Sequence, residues 1–168
     1  MTVLVTAASR HGSTYEIAEA IGRALAERGV EADVRRPEDV EDVAAYDAVV
    51  LGAAVYMGKW VEDARRFVDE HAEALAARPT WLFSSGPIGD PPKPDAEEAV
   101  QVDDVVARAH ARDHRVFAGK VDRSRLSLAE RAVIRVVRAS EGDYRDWAAI
   151  DAWAAGIAEA LRHQPAPA

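Results

Sequence analysis

The feature that most constrains this chain is the alternation of short apolar runs with helical patterns. Val3-Leu4-Val5-Thr6-Ala7-Ala8, Ala32-Asp33-Val34, Ala48-Val49-Val50-Leu51-Gly52-Ala53, Thr80-Trp81-Leu82-Phe83-Ser84-Ser85 and Val116-Phe117-Ala118-Gly119 read as strands. Between them lie helical patterns from Thr14 to about Arg28, from Val61 to Ala76, and from Asp95-Ala96-Glu97-Glu98 to about Ala111. In the first of these, Ile17, Ala18, Ile21, Ala24 and Leu25 recur at helical spacing, and Gly29 follows as a C-terminal cap. The run Ala48–Ala53 is apolar at every position, the pattern of a strand buried on both faces. Strand–helix alternation with short connections implies an α/β fold, an open parallel sheet with helices on both faces. Two further helical patterns, Leu126 to Arg138 and Asp146 to Arg162, follow the fifth strand.

The 168 residues suit one domain over residues 1–163, with Gln164-Pro-Ala-Pro-Ala as a disordered tail. No cysteine is present, which excludes disulfides, iron–sulfur clusters, thiolate zinc sites and cysteine nucleophiles. Redox chemistry would therefore come from a bound organic cofactor. A net charge of −8 argues against a nucleic-acid partner, because phosphate contacts need clustered Lys and Arg. No stretch approaches the roughly 20 apolar residues of a membrane span. Met1-Thr2-Val3-Leu4-Val5 carries no basic leader, so a cytoplasmic protein is expected. No metal site is expected: His110 and His114 stand four apart across a helix end, with no third ligand near in sequence.

Ligands of open α/β sheets sit beyond the carboxyl ends of the strands. Three loops leave those ends: Ser9–Thr14, Ala54–Trp60 and Gly86–Pro94. The first has neither a G-x-x-x-x-G-K-[ST] nor a G-x-G-x-x-G pattern. It offers the hydroxyls of Ser9, Ser13 and Thr14 around Gly12. Such hydroxyls, with backbone N–H groups at a helix start, can hold a phosphate without a lysine. The competing reading is a plain helix start, since Ser13-Thr14-Tyr15-Glu16 is an S-x-x-E capping box.

Ser9-Arg10-His11-Gly12-Ser13-Thr14 resembles the hydroxyl-rich loop of the flavodoxin family, roughly [ST]-x-[ST]-G-x-[ST], with His11 in place of the middle hydroxyl. Ser9-Arg10-x-Gly12-x-Thr14 is more similar to the S-T-R-x-G-x-T of flavodoxin-type menaquinone-dependent protoporphyrinogen dehydrogenases. The resemblance continues through Tyr46-Asp47-x-Val49-Val50-x-Gly52-Ala53, Tyr56-Met57-Gly58, Phe67-Val68, His71-Ala72, Ala118-Gly119 and Asp146-Trp147. It implies a flavodoxin-like fold with five parallel strands in order 2-1-3-4-5 and one extra helix after the fifth. It also implies flavin mononucleotide (FMN) as cofactor. The phosphate would lie against Ser9, Arg10, His11, Gly12, Ser13 and Thr14. The ring would lie between Ala54, Val55, Tyr56, Met57, Gly58 and Lys59 on one side and Ser85, Gly86, Pro87, Ile88 and Gly89 on the other.

Within the second loop, Tyr56, Met57 and Trp60 could supply an apolar slot, although Trp60 suits a core position under the next helix. Lys59 would favour an anionic reduced flavin. The third loop has no aromatic residue, which would leave the outer face of the ring open. Residues 120–138 carry Lys120, Arg123, Arg125, Arg131, Arg135 and Arg138 against Asp122 and Glu130, a net +4 on an acidic chain. Leu126, Ala129, Val133, Val136 and Val137 form an apolar stripe beside them, extended by Leu128 and Ile134. A basic amphipathic helix of this kind fits a partner or the inner face of a membrane, or an ordinary helix with solvated arginines. Three functions stay open. One is an oxidoreductase passing electrons from protoporphyrinogen through FMN to menaquinone. Another is an electron carrier docking on protein redox partners. The third is a fold relative without flavin.

Overall fold

The computed structural model describes residues 1–86, 100–136 and 141–164. Its main sheet contains β1 (Thr2–Ala8), β2 (Glu31–Arg35), β3 (Ala48–Tyr56), β5 (Thr80–Gly86) and β6 (Asp113–Ala118), with β4 (Lys59–Trp60) folded back on β3. The order is β2-β1-β3-β5-β6 and all these pairs are parallel, except for the β3–β4 hairpin. This is the expected 2-1-3-4-5 order, enlarged by one two-residue strand.

The helices α1 (Ser13–Glu27) and α5 (Trp147–Arg162) pack on one face of the sheet, α2 (Glu62–Ala76) and α3 (Asp103–Ala109) on the other. Ala48 and Val50 of β3 join Ile17, Ile21, Leu25, Ile157 and Leu161 on the first face. Val49, Leu51 and Ala53 join Phe67, Val68, Leu75 and Val105 on the second. Every residue of that run is thus buried, as a strand between two helical layers must be. Gly52 is required by crowding: a Cβ there would lie 2.0 Å from the Phe83 ring. Phe83 in turn packs against Phe117 and Trp153, each with ring centroids 6.1 Å away.

Several expected boundaries move. β3 runs on to Tyr56, so Ala54, Val55 and Tyr56 are strand rather than loop. The chain reverses at Met57 and Gly58, whose φ values of 51° and 77° are those of a two-residue hairpin turn with both central residues left-handed. Capping at Asp95 lies outside the described residues, but a helix continuous to Ala111 does not form. Residues 100–102 are non-helical and α3 spans Asp103–Ala109. The Gln101 N–H donates to the Gly58 carbonyl at 2.7 Å, which ties this segment to the hairpin instead. After β6 come a two-stranded ribbon, β7 (Lys120–Val121) with β8 (Gly142–Asp143), and the extra helix α4 (Leu128–Val136). Leu126 ends a 3-10 turn rather than starting the helix. Val137 and Arg138 lie outside the described residues, as do residues 165–168 of the tail. Asp146 caps α5, its carboxylate accepting from the Ala149 N–H at 3.0 Å.

Candidate functional site

The register sets Ala8, Ala53–Ala54, Ser85–Gly86 and Ala118 side by side at the carboxyl edge of the sheet. A cavity of about 370 Å³ opens there, at the point where strand order reverses between β1 and β3. Gly119 follows β6 under this cavity. Its N–H donates to the Gly86 carbonyl at 2.9 Å, and a Cβ on it would meet that carbonyl at 3.1 Å.

The first loop is not a capping box. The residue before α1 is Gly12, with φ 88°, and no side chain caps the helix. Ser9 Oγ instead accepts from the Gly12 N–H at 2.9 Å, closing the loop on itself. The Glu16 carboxylate is drawn away by Arg145. The hydroxyls of Ser13 and Thr14 have no partner among the described residues. A side chain on Gly12 would meet nothing within 4 Å, so its left-handed φ, rather than crowding within the chain, calls for glycine.

Arginines from later segments hold the loop's carbonyls. Arg125 Nη1 donates to the His11 carbonyl at 3.1 Å, and Arg145 Nη1 to that of Ser13 at 3.3 Å. The Arg145 side chain is only 5% exposed and pairs with Asp143 at 2.6 Å and with Glu16. These carboxylates, Asp143 above all, raise its pKa. Arg145 is thus neutralised by its two carboxylates and serves to hold the Ser13 carbonyl, while the α1 N-terminus itself, through its helix dipole, favours an anion.

Ser9, Arg10, His11, Ser13 and Thr14 line the cavity, as do Ala54, Val55, Tyr56, Met57, Gly58, Ser85 and Gly86. Gly12 and Lys59 do not, and Pro87, Ile88 and Gly89 lie outside the described residues. Trp60 belongs to the core: it is 2% exposed, and its Nε1 donates to Ser84 Oγ at 2.7 Å. His110 and His114 do not converge on a site. His110 ends α3, while His114 lies on β6 with Nε2 2.7 Å from Ser84 Oγ. Among the described residues, no group of three His, Cys, Asp or Glu is placed to hold a metal.

The sequence reading missed the cover. Lys120, Val121, Leu126, Glu130, Val133 and Ile134 line the same cavity, together with Val61, Val100 and Val116. The supposed stripe divides, with Leu126, Val133 and Ile134 turned inward while Val136 is 82% and Leu128 84% exposed. Glu130 is 8% exposed. Its Oε1 accepts from Arg10 Nη1 at 2.9 Å and lies 3.1 Å from His11 Nε2. Its Oε2 accepts from the Ser127 N–H at 2.8 Å, while the Glu130 N–H donates to Ser127 Oγ at 3.2 Å. This reciprocal pair is a capping box, and Ser127-Leu128-Ala129-Glu130 was its signal. The Ser127 N–H pulls the Glu130 carboxyl down to about 2, against its burial; the Ser127 side chain and His11 add to the effect. Arg10 also lies 4.9 Å from the centroid of the Tyr56 ring.

A model of the flavodoxin domain family matches residues 4–147. Protoporphyrinogen IX dehydrogenase [quinone] of Escherichia coli (strain K12) is 32% identical over 95 residues, 55% of this chain and 52% of that protein. The chain spans about half the length of the curated relatives it matches. Among solved structures, a flavodoxin from the domain Archaea aligns with TM-score 0.65 and 18% identity over 97% of this chain and 100% of its own. Flavodoxin 1 from Bacillus cereus aligns with TM-score 0.60 and 17% identity over 98% and 100%. Those structures share the fold.

Proposed function

The chain belongs to the flavodoxin domain family, and from that premise we propose that it is an FMN-dependent oxidoreductase. The proposed reaction, of the protoporphyrinogen dehydrogenase type, passes electrons through FMN to menaquinone. The observation that carries the reading is the cavity: a hydroxyl- and amide-rich loop at one end, and an apolar body roofed by a helix at the other. The 32% identical relative, named for a quinone-linked dehydrogenation, supports the same reaction.

The residues present fit the cofactor. Among the described residues Ser13 and Thr14 keep their hydroxyls free of internal partners, and the α1 N-terminus has no side-chain cap. Backbone N–H groups of residues 10–14, with Ser9, Ser13 and Thr14, would hold the phosphate. Ala54, Val55, Tyr56, Met57, Gly58, Ser85 and Gly86 would border the ring. Pro87, Ile88 and Gly89 are proposed to complete that border. Bound FMN supplies the means to accept hydrogen from one substrate and pass it to another. The chain supplies an apolar slot that excludes water, while Lys120 and Arg10 favour anionic groups at its rim. We propose further that Arg131, Arg135, Leu128 and Val136, all exposed on α4, make peripheral contact with the membrane in which a quinone resides.

The net charge of −8 favours one alternative, a flavodoxin-type electron carrier whose redox partners are basic proteins. Flavin absorbance that stays with the protein after incubation with FMN and removal of the unbound flavin is the first test, and its absence would reject both readings. Turnover of protoporphyrinogen with a menaquinone analogue then separates them. The enzyme gives quinone-dependent porphyrin formation, and the carrier gives none while still accepting electrons from a reductase.

A further inference from the structure

Arg10, His11 and Glu130 line two clefts, the cavity already described and a second one shared with Glu62, Asp63 and Ser127. Their contacts join three elements. Glu130 belongs to α4, Arg10 and His11 to the first loop, and the Arg10 guanidinium lies over Tyr56 at the end of β3. Both carboxylate oxygens of Glu130 are engaged, one by Arg10 and His11 and the other by the Ser127 N–H.

Little else holds α4. Among its described residues only Glu130 and Ile134 are buried. Ile134 belongs to a small cluster with Val121 and Leu126, separate from the two cores on either side of the sheet. A short helix with so little apolar burial depends on specific polar ties to stay closed. Hydrogen bonds between ionised partners are stronger and more directional than neutral ones, which suits this role.

We propose that Glu130 is a positioning residue: through Arg10 it holds α4 over the cavity and fixes the first loop, so that cover and loop move as one unit. For the cofactor, this rests on the reading that the cavity takes a flavin whose phosphate meets that loop. A ligand then gains a closed roof and an ordered phosphate cradle together, and neither forms fully without the other.

The test compares Glu130→Gln, Arg10→Gln and the double variant by amide hydrogen exchange on the flavin-free protein. Each single variant is expected to speed exchange in residues 10–14 and in 128–134 together, by about fivefold. The double variant should exchange no faster than the faster single one, because both remove the same tie. Arg10→Gln leaves the Ser127–Glu130 cap and the His11 contact in place, so wild-type exchange of α4 in that variant would show that Arg10 does not hold the cover and would overturn the proposal. Ser127→Ala loosens α4 through its cap and leaves the Arg10–Glu130 contact in place, so exchange in residues 10–14 should rise together with that in α4, and a rise confined to α4 would overturn the coupling. Titration with FMN and riboflavin adds the ligand side, where both single variants should weaken both flavins several-fold. Flavin affinity unchanged in both would overturn the positioning role. A wild type that binds neither flavin would instead sink the functional reading, while the exchange data still decide whether the tie exists.

Discussion

Thr6 stands in the middle of β1, fully buried, with no partner for its hydroxyl among the described residues. Its neighbours on that face, Leu4 and Ala8, are apolar core residues. An orphan buried hydroxyl forfeits its hydration for nothing, so Thr6→Val should stabilise the protein by about 1 kcal/mol. Chemical denaturation would show this as a higher midpoint with an unchanged slope. Gly12 presents the opposite case. Its φ of 88° costs a residue with a Cβ about 1–2 kcal/mol, although the space around it is open. Gly12→Ala should therefore lower stability modestly and weaken FMN binding, because the loop relaxes away from the geometry that presents its N–H groups. A flavin affinity equal to that of the wild type would place the phosphate elsewhere. The hydroxyls around Gly12 were legible in the sequence, whereas the use made of Ser13 and Glu16 was not. The pattern S-x-x-E occurs at Ser13 and again at Ser127, and only the second forms a capping box. The difference begins with Gly12, which takes the cap position itself, so that the Glu16 N–H donates to the Gly12 carbonyl and Ser13 is already helical; the Glu16 carboxylate pairs with Arg145, 129 residues away, a contact no local pattern contains.

Among the elements, α4 carries the clearest dependence on pH. The Glu130 carboxyl is held near 2, against 4.5 ordinarily. A depressed folded-state value gives stability that is fully present above the unfolded value and is lost as pH falls from about 4.5 towards 2. The contribution is on the order of 2–3 kcal/mol at neutral pH. Glu130→Gln should thus be less stable than wild type at pH 7, with the gap narrowing as the pH drops below 4. A gap that stays constant with pH would mean the charge of Glu130 is not what the fold uses. The strands were the readable elements. β1, β3 and β5 announce themselves as apolar runs because both faces of each are covered. The inner and outer sides of α4 could not be assigned, because apolar residues occupy both. Leu126, Val133 and Ile134 face the cavity, while Leu128 and Val136 are exposed. The overshoot of β3 to Tyr56 was hidden for another reason: its turn uses Met57 rather than Asn or Asp ahead of Gly58.

On the scale of the whole molecule, charge is unevenly spread. The chain is acidic overall, yet Arg123, Arg125, Arg131 and Arg135 are all exposed around α4, beside Leu128 and Val136. No helix among the described residues is long and apolar enough to cross a membrane. Each arginine near an anionic bilayer is worth on the order of 1 kcal/mol, so changing Arg131 and Arg135 together to glutamine should weaken vesicle binding roughly thirtyfold. Binding should also fall steeply with salt. Sedimentation with anionic vesicles measures both, and equal binding by the variant would remove α4 as the contact. The tie between Arg10 and Glu130 spans 120 residues of chain. At synthesis rates of about 5–20 residues per second, the loop leaves the ribosome roughly ten seconds before its cover exists. During biosynthesis the first loop therefore emerges well before both the later strands that wall the cleft and the helix that roofs it, and Arg10 waits without its carboxylate partner until α4 has been made.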